Sequence, residues 1–263
     1  MYFLTNIFNS GAQYGTLNSY RSALSLIIGS RVSSDDRIIR LFKGFYRLRP
    51  PLPKYNITWD TSIVLDYLSN LYPNKNLPLD QLAKKTVTLL ALITAHRVQT
   101  LSLICIKNIY ECSDTNYVKI PDIIKTSRIG THQPCLTIPF YKVKPEICPA
   151  EALLDYIDLT RSIRGDIERL FISIKKPFKA VTSQTLSKWI KSTLYESGID
   201  TSIFSSHSTR HASTSAASRL GVSVDLIRNT AGWSGTSQVF AKFYKKDVID
   251  QNMENFALTV LNN

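Results

Sequence analysis

Ser206-His207-Ser208-Thr209-Arg210-His211, Ala231-Gly232-Trp233 and Phe243-Tyr244-Lys245-Lys246 are the stretch that decides how this chain reads. On a helix, His207 and Arg210 are three residues apart and share one face, with Cβ atoms about 5–6 Å from each other. His211 extends that face by one position. Ala212 to Leu220 are small or tolerant of helix, and Gly221 offers a stop. Ser223 suits the N-cap of a short helix running to Arg228. Gly232 breaks the chain at a bend occupied by Trp233. Thr236 or Ser237 can cap a further helix that carries Val239, Phe240, Phe243 and Tyr244. Taken singly, each residue has a plain structural reading: His207 as a helix cap, Trp233 as packing, Tyr244 as a core aromatic beside Phe240. The joint order is what distinguishes them.

Outward from that stretch, the totals narrow the partners. The chain has 263 residues, 44% of them apolar and 20% charged, enough for one large or two modest domains of an ordinary globular protein. Its 32 Lys and Arg against 20 Asp and Glu leave a formal charge of +12, which favours a polyanion, nucleic acid before an acidic membrane surface. Cys105, Cys112, Cys135 and Cys148 show no paired spacing, so neither a disulfide framework nor a zinc site is expected and a reducing compartment fits. The longest apolar run, Leu89 to Ala95, is far short of a membrane span, and Met1 to Asn6 carries no basic lead into an apolar stretch. The expectation is a protein working inside the cell, away from membranes.

Residues 1–48 read as helical. Leu17, Tyr20, Leu24 and Ile27 form one apolar stripe, and Ile38, Leu41, Phe42 and Phe45 form a second over Ser33 to Leu48. The other face of that second segment carries Arg37, Arg40, Lys43 and Arg47, either a solvated face or one that meets phosphates. Pro50, Pro51 and Pro53 make residues 49–58 the linker candidate. Beyond it, Thr61 to Leu71 and Gln81 to Thr94 have helical spacing, the latter with Asp80 as its cap, and Arg97 stands just past it. Tyr117 to Ile120 and Leu136 to Pro139 read as a hairpin whose long connection carries Lys125, Arg128 and His132. Pro149 to Leu159 reads as a helix, Arg161 to Gly165 as a surface loop, and Leu170 to Ile174 as a short apolar strand or a buried segment. A helix opens at Thr182 or Ser183. A last amphipathic helix carries Ile249, Met253, Phe256 and Val260.

His207-Ser208-Thr209-Arg210-His211, Ala231-Gly232-Trp233 and Tyr244 resemble the His-x-x-Arg, Gly-His/Trp and Tyr boxes of the tyrosine recombinases, the phage-integrase family. Ala95-His96-Arg97-Val98-Gln99-Thr100-Leu101 is similar to that family's first arginine box. The wording of the boxes, with Leu48 to Tyr55 ahead of Trp59-Asp60, is closer to versions carried by eukaryotic mobile elements. The resemblance covers roughly Trp59 to Tyr244. It implies a mainly α fold with a small antiparallel β-sheet: residues 59–263 as the catalytic domain, and residues 1–48 as a helical DNA-clamping domain of about half the usual length, as if cut short at its start.

It implies a chemistry too. A DNA phosphodiester repels nucleophiles, and two guanidinium forks, Arg97 and Arg210, can neutralise the charge that builds on its non-bridging oxygens. Tyr244 would attack and end as a 3′-phosphotyrosine. A phenol is protonated at neutral pH, so His207 would take its proton or hydrogen-bond the phosphate. The turn of the β-sheet delivers a lysine in this family, so Lys125, with Arg128 second, would protonate the leaving 5′ oxygen. Trp233 would donate its indole N–H to a phosphate oxygen. No metal and no cofactor is called for. Double-stranded DNA would be the partner, in a homotetramer joined through the C-terminal helix, in a nucleus. Two departures stand out: Tyr244 lies eleven residues after Trp233, two more than the family usually has, and Thr100 stands where an acidic residue is common. A binding-only relative that has lost the reaction is the alternative; a type IB topoisomerase shares the chemistry, but the Trp59 to Arg97 region argues against it.

Overall fold

The computed structural model describes residues 1–52, 57–127, 129–130, 132–233 and the backbone of 247–248. The chain divides into two compact units, Met1–Lys54 and Tyr55–Asn263.

Unit 1 is helical. α1 (Tyr2–Asn9), α2 (Tyr14–Ile28), the single turn α3 (Arg31–Ser34) and α4 (Asp36–Leu48) enclose Leu4, Leu17, Ile38, Phe42 and Phe45. The segment Ser33 to Leu48 therefore begins in the last residues of α3, and its apolar stripe lies wholly on α4. Asp35 separates the two helices because its carboxylate accepts the Arg37 backbone N–H at 2.8 Å and so caps α4. Phe8 stacks on Phe45 at 4.4 Å between centroids. Arg49, at the start of the stretch read as linker, lies over Phe8 and donates to the Phe8 and Ala12 carbonyls, which closes the end of α1.

Unit 2 is built around one helix. β1 (Ile57–Thr58) and α5 (Thr61–Ser69, capped by Asp60) lead to α6 (Leu79–Thr94), which is buried nearly all round and packs against α8 (Pro149–Thr160), α9 (Ser183–Glu196) and α10 (Ser208–Arg219). Even Lys85 is buried in α6. Its ammonium donates to the Leu71 carbonyl at 2.6 Å, and burial pushes its pKa down to about 8. A three-stranded antiparallel sheet of β2 (Ile109–Glu111), β3 (Thr115–Lys119) and β4 (Cys135–Pro139) covers one side of α6, with Val118, Leu136 and Ile138 turned inward. The architecture is thus mainly helical with a small antiparallel sheet. α7 (Val98–Ser102) and α11 (Val224–Thr230) complete the elements used below.

Several local expectations are corrected. Pro78, not Asp80, occupies the N-cap of α6, and Asp80 lies in its first turn, where a carboxylate still favours the helix dipole. The hairpin has a third strand, β2. Ile57–Thr58, the end of the linker stretch, is a strand that pairs in parallel with Asp247–Val248 (β5). The Arg161 to Gly165 loop is not all surface: Arg164 is buried and donates to the carbonyls of Ile167, Arg169 and Leu170 and to the Thr160 hydroxyl. A chain that curls over its own guanidinium satisfies a charge that the sequence shows only as loop. Of the two readings of Leu170 to Ile174, the buried segment holds: Leu170 to Ile172 are buried, and isolated bridges, Cys105 to Arg169 and Ile172 to Ala180, tie this stretch to its neighbours.

Candidate active site

α6 ends where three of the sequence boxes meet. Its C-cap, Ala95, takes the left-handed conformation (φ 48°), which costs about 1 kcal/mol for a residue with a Cβ. Alanine stays because its methyl fills a small cluster with Ile227, Ala231 and Trp233. The reversal turns His96 inward and leaves Arg97 at the N-cap of α7, half-buried. His96 Nδ1 lies 3.0 Å from the Thr94 carbonyl, so it carries the proton. Among the described residues nothing pairs with the buried Nε2. Burial pushes the imidazole down to about 4, and the cations of Arg210 and Arg97 push it the same way. His96 is therefore neutral near pH 7.

Arg210 comes from α10. Ser208, Thr209 and Arg210 are all buried there, and the helix start is locked from β1's side: the Trp59 indole N–H donates to the Ser208 hydroxyl at 2.8 Å, which donates to the Ser205 carbonyl. Arg210 is 3% exposed. Its Nη2 donates to the Ala231 carbonyl at 3.2 Å, and its guanidinium lies 4.6 Å from the centre of the Trp233 ring. Such a cation–π contact is worth about 2 kcal/mol when desolvated. Ser223 caps α11 as its position in the sequence suggests, and α11 runs into Gly232 at φ 65°. There a Cβ would come within 3.1 Å of His96 Nε2, a tight approach on a backbone that L side chains rarely adopt, so both favour glycine.

The structure thus brings Arg97, Arg210 and Trp233 together around His96. A cavity of about 140 Å³ joins these boxes to the sheet: Thr94 and His96, Pro134 to Thr137, and Asn229 with Thr230 line it. Pro134 to Thr137 close the connection that carries Lys125, which is itself exposed. His207 is exposed at the N-cap of α10, one turn before Arg210, so it sits on the rim and the arginine in the interior. Thr100 is buried on α7 and supplies no carboxylate. Arg37, Arg40, Lys43 and Arg47 are all exposed on α4 of unit 1, with Arg37 held by Asp35 at 2.7 Å. Tyr244, Arg128 and the tail with Ile249 to Val260 lie outside the described residues. The nearest described residues after Tyr244, Asp247–Val248, pair with β1 and lie against α10. Among the described residues no three His, Cys, Asp or Glu side chains gather as metal ligands would, and no helix is long and apolar enough to cross a membrane.

Three residues here were not singled out from sequence. His96 stands inside the first arginine box but has meaning only through Gly232. Trp59 and Ser208 are paired across 149 positions; Ser208 lies inside the His207 to Arg210 box, and Trp59 opens the stretch of resemblance.

The fold has solved relatives. XerA recombinase aligns at a TM-score of 0.54 and 15% identity, over 99% of this chain and 90% of that one. XerH site-specific recombinase bound to difH substrate, in a pre-cleavage complex, gives 0.61 and 14%, over 97% and 67%. A lambda integrase tetramer bound to a Holliday junction gives 0.53 and 15%, over 92% of this chain and 62% of that one, so this chain spans less than two thirds of that integrase. No curated protein matches. The model of the phage integrase family matches residues 66–248, which include Arg97, Arg210, Trp233 and Tyr244. The chain belongs to the phage integrase family.

Proposed function

We propose that the protein is a DNA recombinase that cleaves and rejoins strands through a covalent 3′-phosphotyrosine at Tyr244. The observation that carries this reading is that Arg210, bonded to the Ala231 carbonyl and stacked on Trp233, reaches the turn where Gly232 closes on His96, the neighbour of Arg97, 113 residues away in the chain. A phosphodiester is an anion that two guanidinium forks can share. Arg210 presents a planar fork, fixed by Trp233 and the Ala231 carbonyl, which a lysine could not reproduce. His96 adds no third charge, because it is neutral at the pH of the reaction.

In this reading the phenol oxygen of Tyr244 bonds to phosphorus, its proton passing to His207, while the bond to the 5′ oxygen breaks. Lys125 protonates that oxygen, and Trp233 braces Arg210 and donates to the phosphate. Unit 1 clamps the duplex through Arg37, Arg40, Lys43 and Arg47, with Arg128 a further contact from the Lys125 connection. The relatives bound to DNA, among them the tetrameric lambda integrase, support a duplex partner and assembly as a tetramer. A joint through the C-terminal helix, an origin in a eukaryotic mobile element and a nuclear location belong to the same proposal.

Trapping tests it. Wild-type protein is mixed with a library of nicked duplexes randomised in the centre, and SDS-stable adducts are recovered and sequenced. Wild type should select a sequence and attach to it, whereas Tyr244→Phe should bind that sequence and leave it intact. An adduct that persists in Tyr244→Phe removes Tyr244 as the nucleophile. Binding with no adduct in wild type favours the second reading, a DNA-binding relative without the reaction, to which the missing carboxylate at Thr100 points.

A further inference from the structure

We infer that Asp122 and Arg169 are a positioning pair that fixes Lys125 for proton delivery, an inference resting on the cleavage reading above. Lys125 lies on the long connection from Ile120 to Pro134 between β3 and β4. A connection of that length does not hold a side chain in place unless it is anchored. Here the anchors crowd around the lysine. The Asp122 carboxylate, three residues before it, accepts both Nη groups of Arg169, at 3.2 and 2.9 Å. Ile124 is buried in the main core. Ile124 to Ser127 form a tight turn: the Ser127 N–H donates to the Ile124 carbonyl, while its hydroxyl accepts from the Ile124 N–H and donates to the Gln133 side chain, each at 2.9 Å. Lys125 and Thr126 are the two middle residues of that turn.

Arg169 connects this turn to the arginine site. The same Nη1 that meets Asp122 also donates to the Leu103 carbonyl, at the C-cap of α7, and approaches Cys105 Sγ at 3.4 Å. α7 is the helix whose N-cap is Arg97. The backbone on either side of Arg169 is fastened to the same segment, with Ile106 N–H donating to the Glu168 carbonyl and Leu170 N–H to that of Ile104. One guanidinium therefore spans the end of the Arg97 helix and the base of the Lys125 turn. The pair is about one-third exposed on each side, where an ion pair adds little to stability. Its geometry, bidentate and shared with a carbonyl, supplies alignment instead.

Proton delivery gives this role its own signature. When the P–O5′ bond breaks, the ammonium proton of Lys125 goes to the 5′ oxygen and leaves an amine. With sulfur in place of that bridging oxygen, the thiolate leaves without a proton, so a fault in the acid disappears and a fault elsewhere remains.

The test compares cleavage of the selected duplex with cleavage of its 5′-bridging phosphorothiolate counterpart, using the full chain as wild type, Lys125→Ala, Asp122→Asn and Arg169→Lys. On the oxygen ester, Lys125→Ala should lose about 100-fold or more. The two pair variants should lose about 10- to 100-fold, as a misplaced acid does. On the sulfur ester all three should return to within about threefold of wild type. Pair variants slowed equally on both esters, whether by misfolding or by disturbing Arg97, overturn the inference; so do pair variants at wild-type speed on oxygen while Lys125→Ala is slow. Failure of the underlying reading looks different: wild type forms no adduct, or Lys125→Ala stays slow on sulfur, and either result removes the inference as well.

Discussion

Two sets of cations in this molecule are built in opposite ways. On α4 of unit 1, Arg37, Arg40, Lys43 and Arg47 stand in solvent along one helix face, with Arg37 paired with its own cap residue Asp35. In unit 2, Arg210 is buried, stacked on Trp233 and bonded to a carbonyl, and Arg97, next to His96 in the chain, is half-buried. The first arrangement adds charge in parallel, so its members are interchangeable. The second removes freedom in advance, so that each atom has one place to be. Affinity and rate should accordingly be separable by mutation.

The largest expected effect is at Arg210. Arg210→Lys keeps the charge and loses the fork, so cleavage at saturating DNA should fall about 100- to 1000-fold, while duplex affinity changes little. A comparable loss in affinity would place Arg210 with the α4 row and dissolve the contrast.

Next comes Gly232→Ala. Its Cβ meets His96 Nε2 on a backbone with φ 65°, so a loss of about 1–3 kcal/mol in urea unfolding should accompany slower cleavage. An unchanged midpoint would mean that the Gly232 turn and the His96 turn are not locked together.

His96 itself should give a pH signature of about the same size. Its folded value, about 4, lies below the ordinary histidine value of 6.5, so between those limits the unfolded chain binds the extra proton. Stability contributed by this site is complete above pH 6.5 and is lost as pH falls toward 4, by at most about 3 kcal/mol. Thermal melts of wild type and His96→Asn across that window should differ in slope. Parallel slopes would show that His96 is not held neutral by burial.

The smallest effects belong to α4. Arg40→Ala, Lys43→Ala and Arg47→Ala should each weaken binding to any sequence alike and lower the salt slope by about 0.9 for each phosphate left unneutralised. The cleavage rate on bound DNA should stay the same.

How far the sequence reveals this follows from the range over which each feature is set. The cap at Ser223 and the stop at Gly221 are local and read directly, and of the two starts offered for α9, Thr182 and Ser183, the cap is Thr182. Strands β3 and β4 show through their alternation, whereas the three residues of β2 are too few to do so. The first turn of α6 offers both Pro78 and Asp80 as starts, and only the fold chooses between them. Features set by distant pairs are invisible: Trp59 finds Ser208, Gly232 finds His96, and Arg169 finds Asp122 across 47 positions. Arg164 shows the same limit, since nothing in its composition says that the chain will wrap it.

The most direct measurement replaces one charged non-bridging oxygen of the scissile phosphate by a methyl group, which removes the charge that the two arginines are held to meet. Arg97→Ala and Arg210→Ala should each recover most of their lost cleavage on this neutral substrate, relative to wild type, while Tyr244→Phe should recover none. If both arginine variants are as impaired on the neutral substrate as on the charged one, Arg97 and Arg210 do not serve a single phosphate.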